Sequence, residues 1–459
     1  MNCTRRSTIR PGLAAGAALA ALTTLAGGCA HWPGTPALQQ ASEAGYRINN
    51  SAAAGRSDDM LVVLAISGGG MRAAALGFGV LEELRRTTIT IDGRQRRLLD
   101  EVDIISAVSG GTLPSTYYVL RGERAFDEFP QRVLARNLEK ELALRIFSPG
   151  NWFRLPSATF GKSDLFAELY DETVFDHARF ADLQQAGGPF LIINGTDVTT
   201  GARFTFTQDQ FDALCGDLSQ ISLGRAIATS TALPPLLTPI TFENRGGTCG
   251  RKPAPWELAA IAAGAGAESP GRALLRVRAL QSYANPDRPY VHVFDGGLSE
   301  NLGLAELLRA MELRKVMPDG SVLPAFDKAH RLVVIAVNAL RYPPVDWDRS
   351  AAPPDTGSLQ DQMWSIPVDR ISLDAVEQVR DRLADWQRGA AADGKPRQAY
   401  FVQVTFDALK NPAERRYFEG VKTSLALPPE QVDKLREVGG RLLLEAPAFR
   451  RLLAETAPR

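Results

Sequence analysis

A strand that ends abruptly at a serine constrains this chain more than any other stretch. The β-branched residues Val102, Ile104 and Ile105 favour a buried strand. The strand leads to Ser109, which has Ala107 two positions before it and two glycines directly after it. A sharp turn from strand to helix needs small residues there, because the serine backbone is strained and its neighbours pack closely. The stretch therefore predicts a nucleophile elbow, with a plain Ser-Gly-Gly loop between two core elements as the alternative.

The composition bears on size and partners. The chain has 459 residues, of which 45% are hydrophobic and 23% charged, as is ordinary for a large globular protein. Basic and acidic residues both number 52, so the charge gives no reason to expect nucleic-acid binding. The four cysteines and four histidines show no metal-ligand spacing, so we expect no metal ion.

The first 30 residues differ from the rest of the chain. Arg5, Arg6 and Arg10 precede an uncharged, alanine-rich apolar run over residues 13–25. The run is too short to span a bilayer well. Small residues then lead to Cys29, and the whole resembles a bacterial lipoprotein signal in which this cysteine is lipidated. An ordinary secretory signal with an incidental cysteine is the alternative.

The lipoprotein resemblance implies anchoring in the bacterial cell envelope, at the outer membrane facing the periplasm or the surface. Residues 1–28 are then a signal peptide, and residues 29–58 a flexible tether rich in small residues and proline. Cys3 leaves with the signal, which leaves Cys215 and Cys249 in an oxidising compartment. We expect them to form a disulfide that stabilises the fold by about 3–4 kcal/mol, with two buried thiols as the alternative.

A glycine-rich loop follows the first strand of the ordered domain. The apolar stretch 60–66 leads into three glycines at 68–70 and then into an amphipathic helix. Backbone N–H groups at such a turn bind an anion, either a phosphate or the oxyanion of an acyl-transfer intermediate. Residues 68–73 also fit the dinucleotide fingerprint G-x-G-x-x-G/A, with Asp92 ending a predicted strand about 20 residues later. The loop alone leaves both interpretations open.

An acid at the end of a later strand favours acyl transfer. Alternating apolar residues over 290–294 lead to Asp295, and two glycines follow it. Glycine loop, Ser109 and a later acid, in this order, are the layout of an acyl hydrolase. A triad is the mechanistic rival, because Ser109, Asp295 and His330 follow the order of α/β-hydrolases. We favour a solvated His330 at a strand start.

Five motifs, in order, resemble those of the patatin-like phospholipase family over residues 60–340. They are the loop Gly68–Arg72, the elbow Ala107–Gly111, the stretches 194–201 and 225–239, and the turn Asp295–Gly297. Ala73 and Ala107 depart from glycines of the family pattern, which bears on fine geometry because neither removes a catalytic group.

The resemblance implies a dyad of Ser109 and Asp295, with no metal or organic cofactor. The residues that it assigns to the oxyanion hole are Gly68, Gly69, Gly70, Met71 and Arg72, with Arg72 bracing the loop. It implies an α/β fold, namely a three-layer α/β/α domain with a central mixed, mostly parallel sheet.

This domain is expected over residues 59–345, with an insertion at about 250–288. Residues 346–459 are expected to supply helices and a strand that pack on it, including a helix over 367–388 and a closing helix over 429–454. Residues 147–153 form an aromatic loop, which either anchors the loop to the core, as we favour, or contacts lipid.

The sequence therefore predicts an exported, lipid-anchored serine hydrolase that cleaves acyl esters of phospholipids or lysophospholipids, with membrane lipid as its partner. A nucleotide-binding protein that uses residues 68–73 is a second hypothesis, but it leaves Ser109 and Asp295 without a role. A catalytically inactive envelope protein with this fold is a third, against which stands the presence of both dyad residues.

Overall fold

A computed structural model describes residues 31–50, 55–234, 236–264, 271–316, 325–341, 347–389 and 394–457. The strands in these ranges are β1 (Met60–Ile66), β2 (Thr88–Ile91), β3 (Arg94–Arg97), β4 (Val102–Val108), β5 (Phe190–Asp197), β6 (Arg203–Thr205), β7 (Ile240–Glu243), β8 (Tyr290–Asp295), β9 (Arg331–Asn338) and β10 (Gln398–Thr405).

The first helices are α1 (Gly70–Arg86), α2 (Thr112–Arg121), α3 (Ala125–Phe129), α4 (Leu138–Ile146), α5 (Lys162–Thr173), α6 (Phe180–Ala186), α7 (Gln208–Ala213) and α8 (Leu223–Ser230). The later ones are α9 (Pro255–Gly264), α10 (Arg272–Ser282), α11 (Ala305–Val316), α12 (Ala325–Lys328), α13 (Thr356–Arg388), α14 (Pro412–Glu419), α15 (Pro429–Glu445) and α16 (Pro447–Glu455).

The central sheet is mixed and mostly parallel, as the sequence predicted. Its strand order is β10-β9-β1-β4-β5-β8-β7, and β6 pairs with β5. The strands from β10 to β5 run parallel, whereas β6, β7 and β8 join through antiparallel pairs. All seven residues of β1 are buried, as expected of a central strand covered on both faces. The three-layer α/β/α prediction is confirmed.

The register of the sheet brings the predicted site residues together at the carboxyl ends of its central parallel strands. Ile66 pairs with Ala107, so the glycine loop and the elbow leave neighbouring parallel strands side by side. Gly195 of β5 pairs with Asp295 of β8. Since β5 is the other neighbour of β4, the strand ends carry the loop, the serine and the acid to the same place.

The C-terminal region contributes a strand to the central sheet. Strand β10 pairs with β9 along its whole length, so the C-terminal region supplies an edge strand of the sheet. Helix α13 begins at Thr356, well before the predicted start at residue 367, and contains Pro367. Proline has no N–H, so Pro367 leaves the carbonyl oxygen of Met363, four residues earlier, without its helical donor. Met363 is 72% exposed, so water can bond this oxygen instead.

The predicted closing helix over 429–454 is two helices. Ala446 is extended, with φ of −62° and ψ of 125°, and separates α15 from α16. Pro447 is the first residue of α16, where a missing N–H costs nothing. The proline therefore ends one helix and begins the next.

The described part of the predicted tether lies against the domain. Trp32 donates its backbone N–H to the carbonyl oxygen of Thr159 at 3.0 Å. Arg47 forms a buried ion pair with Asp212 at 2.6 Å. Residues 31–50 are therefore part of the folded body, whereas the sequence predicted a flexible tether there.

Cys215 and Cys249 form a disulfide that supports this N-terminal segment. Their sulfurs are 2.17 Å apart, and their carbonyl oxygens accept hydrogen bonds from the N–H groups of Leu38 and Ala41 at 2.9 and 3.0 Å. The predicted signal peptide and Cys29 lie outside the described residues. Within the described ranges, no helix has both the length and the apolar character needed to cross a bilayer.

Candidate active site

Ser109 has the backbone of a nucleophile elbow. It lies between β4 and α2 with φ of +49°, a region that residues other than glycine rarely adopt. A Cβ at Gly110 would lie 1.9 Å from the carbonyl oxygen of Gly70, and one at Gly111 would lie 2.6 Å from that of Ser67. The glycines after the serine are therefore required by the close approach of the glycine loop.

Ser109 and Asp295 are joined by a direct hydrogen bond. The Oγ of Ser109 donates to Oδ2 of Asp295 at 2.7 Å. The other carboxylate oxygen accepts the N–H of Gly297 at 2.8 Å. Both dyad residues are buried, at 9% and 4% exposure. The hydroxyl proton of the serine is therefore already directed at an acceptor.

Burial shifts the pKa of Asp295. Desolvation raises the pKa of Asp295 to about 6, because a buried site disfavours the charged form, while the hydrogen bonds from Gly297 and Ser109 lower it in part. A carboxyl group with a pKa close to neutral pH can both take up and return a proton during a reaction cycle.

A second serine and an asparagine hold the elbow in place. Ser109 donates its N–H to Oγ of Ser230 at 2.8 Å, and this hydroxyl donates to the carbonyl oxygen of Asn194 at 2.6 Å. The side-chain amide of Asn194 donates to the carbonyl oxygen of Ala107 at 2.9 Å. The sequence marked both stretches as motifs but assigned no role to Ser230 or Asn194, because their partners are distant in the chain.

The predicted oxyanion residues are not equivalent. Gly68 donates its N–H to the carbonyl oxygen of Asn301 at 3.0 Å, and Met71 donates its N–H to that of Ser424 at 2.8 Å. Two of the predicted donors are therefore already used within the protein. The prediction that all of residues 68–72 belong to the oxyanion hole is therefore corrected, because the N–H groups of Gly68 and Met71 already have acceptors.

Gly69 and Gly70 remain as donors in the loop. Their N–H groups have no hydrogen-bond acceptor among the described residues. Both have positive φ, at +141° and +59°, which glycine adopts without steric cost. The first turn of α1 begins at Gly70, where the N–H groups of a helix have no partner within the helix. These two N–H groups can receive a developing negative charge.

Arg72 connects the loop to two other parts of the chain. Its Nε donates to the carbonyl oxygen of Ala339 at 2.8 Å and its Nη1 to that of Val421 at 2.7 Å. Desolvation, together with nearby Arg341, lowers the pKa of Arg72 to about 9. A planar guanidinium donates at fixed angles, so it holds the two carbonyls in a defined relation.

The C-terminal helix α15 packs closely on α1. A Cβ at Gly79 would lie 2.0 Å from the carbonyl oxygen of Arg436, and one at Gly439 would lie 2.5 Å from that of Leu76. The sequence interpretation missed this support for the loop. Glycines inside amphipathic helices were the available signal, because such glycines mark close packing.

A family model matches the part of the chain that contains Ser109 and Asp295. The family model described as patatin-like phospholipase matches residues 64–308, which is more than half of the chain. This chain belongs to the patatin-like phospholipase family. The resemblance stated from the motifs is confirmed.

Solved structures of similar fold are distant in sequence. The human GIVD cytosolic phospholipase A2 is 13% identical with a TM-score of 0.42, and the match covers 89% of this chain and 65% of that one. VipD from Legionella pneumophila is 12% identical with a TM-score of 0.34, over 92% of this chain and 71% of that one. This chain thus spans less than two thirds of the human enzyme. A comparison with curated protein sequences finds no significant match.

In this member of the patatin-like phospholipase family, His330 is far from Ser109 and Asp295 along the sheet. It directly precedes β9, and its Nδ1 is hydrogen-bonded to Asp59, which directly precedes β1. Ser109 follows the opposite end of the parallel strand β4. The triad that the sequence left open is therefore not assembled.

Asp92, the acid that a dinucleotide site would require, does not lie where such a site needs it. Asp92 lies in the turn of the β2–β3 hairpin, outside the central sheet, and accepts a hydrogen bond from Ser57 at 2.5 Å. A dinucleotide site needs that acid at the end of a strand beside β1, but the neighbours of β1 are β4 and β9. In the part of the chain that the structure describes, no three His, Cys, Asp or Glu side chains are grouped to hold a metal ion.

Proposed function

We propose that this chain hydrolyses acyl esters of phospholipids or lysophospholipids, with Ser109 as nucleophile and Asp295 as general base. The observation that carries the proposal is the hydrogen bond of 2.7 Å from the serine Oγ to the carboxylate, formed at a strained elbow. Membership in the patatin-like phospholipase family supports a lipid ester as the substrate class.

In the acylation step, Oγ of Ser109 attacks the ester carbonyl carbon while its proton passes to Oδ2 of Asp295. Transfer and attack are concerted, because a carboxylate is a weak base for a free hydroxyl. The carbonyl electron pair moves to the oxygen, which we assign to the N–H groups of Gly69 and Gly70. Collapse of the intermediate breaks the bond to the alcohol oxygen, which leaves with the proton from Asp295.

In the deacylation step, water attacks the acyl group on Ser109 and gives a proton to Asp295. The same two N–H groups stabilise the second oxyanion. Release of the fatty acid breaks the bond to the serine Oγ, and the proton returns from Asp295 to that oxygen. The dyad ends in its starting protonation state.

We also propose that the enzyme is held in the bacterial cell envelope through a lipid on Cys29. The support is the sequence pattern of the first 30 residues, in which arginines, an apolar run and small residues precede this cysteine. A lipid anchor places a hydrolase of lipid esters at its substrate.

Covalent labelling of the purified mature chain with a fluorophosphonate tests the dyad. We expect the adduct on Ser109 by peptide mass spectrometry and no adduct in Ser109→Ala. Asp295→Asn is expected to slow labelling on the order of 10²–10⁴-fold, whereas the matched control His330→Ala labels like wild type. Loss of labelling in His330→Ala would contradict the dyad. No labelling of a wild-type chain that unfolds cooperatively would support the inactive-scaffold hypothesis.

A further inference from the structure

The aromatic loop, residues 147–153, exposes large apolar side chains to water. Phe147, Trp152 and Phe153 are 73%, 59% and 70% exposed, and Leu144 in the preceding helix is 63% exposed. All 20 phenylalanines of the chain lie in the described ranges, and the others are buried or half-buried. The loop is therefore not the core anchor that we favoured from the sequence, and exposed apolar groups of this size mark an interaction surface.

Hydrogen bonds hold the aromatic loop in shape. The N–H of Asn151 donates to the carbonyl oxygen of Ser148 at 2.9 Å, and that of Trp152 donates to Pro149 at 3.3 Å. The side-chain amide of Asn151 donates to the carbonyl oxygen of Arg145 at 2.8 Å. The rings are therefore presented to solvent by a defined turn.

Contacts connect the aromatic loop to the first described residues of the chain. Arg154, next to Phe153, stacks on the ring of Phe160 at 4.2 Å. The residue before that ring, Thr159, accepts the N–H of Trp32 at 3.0 Å. Cys29 is three residues before Trp32, and three residues of chain span at most about 11 Å. A lipid attached to Cys29 would therefore be tethered within this reach of Trp32.

Further contacts link the residues after Phe160 to Asp295. A Cβ at Gly161 would lie 2.2 Å from Oγ1 of Thr238, and Ser163 donates its hydroxyl to the carbonyl oxygen of Thr238 at 2.5 Å. Thr238 ends the segment after α8, in which Ala232 accepts the N–H of Asp295 at 3.2 Å.

Two leucines of that segment are also exposed. Leu233 is 39% exposed and Leu236 is 58% exposed. Leu233 directly follows Ala232, and Leu236 lies two residues before Thr238, so both belong to the segment that joins these two contacts.

We propose that the aromatic loop, with Leu233 and Leu236, is the surface on which the enzyme lies on the bilayer that holds its lipid anchor. The anchor keeps the protein at the membrane, and aromatic side chains that enter the interface fix its orientation. This inference rests on the proposed function and on lipidation of Cys29.

Spin labelling tests the contact without any need for hydrolysis. The full mature lipoprotein is incorporated into vesicles of phosphatidylethanolamine and phosphatidylglycerol. Phe153→Cys carries a nitroxide, and Leu275→Cys on α10, where the leucine is 51% exposed, is the control. The introduced thiol is the one to label, because Cys215 and Cys249 are bonded to each other and Cys29 carries the lipid.

We expect the label at position 153 to be accessible to oxygen and protected from a water-soluble nickel chelate, as in the interface. The label at position 275 is expected to remain accessible to the chelate. Equal accessibility to the chelate at both positions would overturn the proposal. So would protection of position 153 from both reagents, because that result means that a protein surface, such as a second copy, covers the loop.

Kinetics supply a second readout on the full chain. We compare the triple variant Phe147→Ser/Trp152→Ser/Phe153→Ser with the control Leu258→Ser/Leu275→Ser/Leu373→Ser, whose leucines are 51–56% exposed. The ratio of vesicle phospholipid hydrolysis to hydrolysis of a short soluble ester is expected to fall on the order of tenfold in the first variant, because its apolar contact area is lost.

The control variant is expected to keep the wild-type ratio. A fall of the same size in the control, or an unchanged ratio in both, would overturn the docking surface. Absence of hydrolysis of either ester by wild type refutes the proposed function instead, while the label at position 153 still reports the contact with the bilayer.

Discussion

The guanidinium of Arg72 donates a hydrogen bond of 2.7 Å to the carbonyl oxygen of Val421, 349 positions later in the sequence. Residue 421 lies beyond the family match, which ends at residue 308. The same C-terminal segment accepts the N–H of Met71 through Ser424. The glycine loop that we assign to the oxyanion is therefore held by a part of the chain outside the matched domain.

Replacement of Arg72 tests this support. In Arg72→Lys, a single ammonium cannot donate to both carbonyls at the angles of the guanidinium. We expect the free energy of unfolding to fall by about 1–3 kcal/mol and kcat for a soluble ester to fall with it. Urea denaturation and ester kinetics measure both. Arg86→Lys, at an exposed position of the same helix, is the control, and equal results for the two variants would refute the bracing role.

Two adjacent glycines of α15 offer a matched pair. A Cβ at Gly439 would lie 2.5 Å from the carbonyl oxygen of Leu76, whereas one at Gly440 makes ordinary contacts at 3.4 Å. Gly439→Ala is expected to destabilise by about 1–3 kcal/mol through overpacking. Gly440→Ala is expected to be neutral or to stabilise by up to about 1 kcal/mol, because alanine favours the helix. Thermal unfolding of both variants measures the difference, and the reverse order would contradict the packing of α15 on α1.

The pH dependence of activity follows from the buried acid. Asp295 must be ionised to accept the serine proton, and burial raises its pKa to about 6. We expect kcat/KM for a neutral soluble ester to rise with pH through about 6 and then level off. A pH–rate profile of wild type and His330→Ala should show the same lower limb, because His330 is not near the dyad. A limb that disappears in His330→Ala would implicate the histidine.

The ionised, buried carboxylate of Asp295 should also destabilise the folded chain at neutral pH. Its pKa is raised in the folded chain above the ordinary value of 3.8, so the folded state binds the proton more tightly than the unfolded state. The contribution to stability is thus full below pH 3.8 and is lost as the pH rises through about 6. We expect Asp295→Asn to unfold at a higher temperature than wild type at pH 8 and to lose this advantage near pH 4. Calorimetry at both pH values checks the sign.

The disulfide should support the segment that carries Ala232. The residues that it joins are 34 positions apart and enclose α8 and β7. Reduction is expected to lower the free energy of unfolding by about 3–4 kcal/mol. Denaturation with and without dithiothreitol measures the loss. The double variant Cys215→Ala/Cys249→Ala is the control, since it should show the lower stability in both conditions.

Local pattern was sufficient to predict much of the fold and of the candidate site. Strand β1, the glycine loop, the turn at Ser109 and the strand that ends at Asp295 follow from neighbouring residues, because periodicity and small-residue placement act over a few positions. Local rules failed at Pro367, where an exposed position tolerates proline inside α13. They also failed over residues 31–50, whose composition indicated a tether but whose backbone is bonded to the domain.

The sequence by itself determined the order of the motifs, the parallel α/β character and the residue types of the dyad, because these depend on short-range pattern. Tertiary structure alone decided which loop N–H groups are free, since the carbonyls of Asn301 and Ser424 that occupy the others come from distant segments. It also decided where His330 lies, because strand direction in the sheet places the histidine at the opposite end from Ser109.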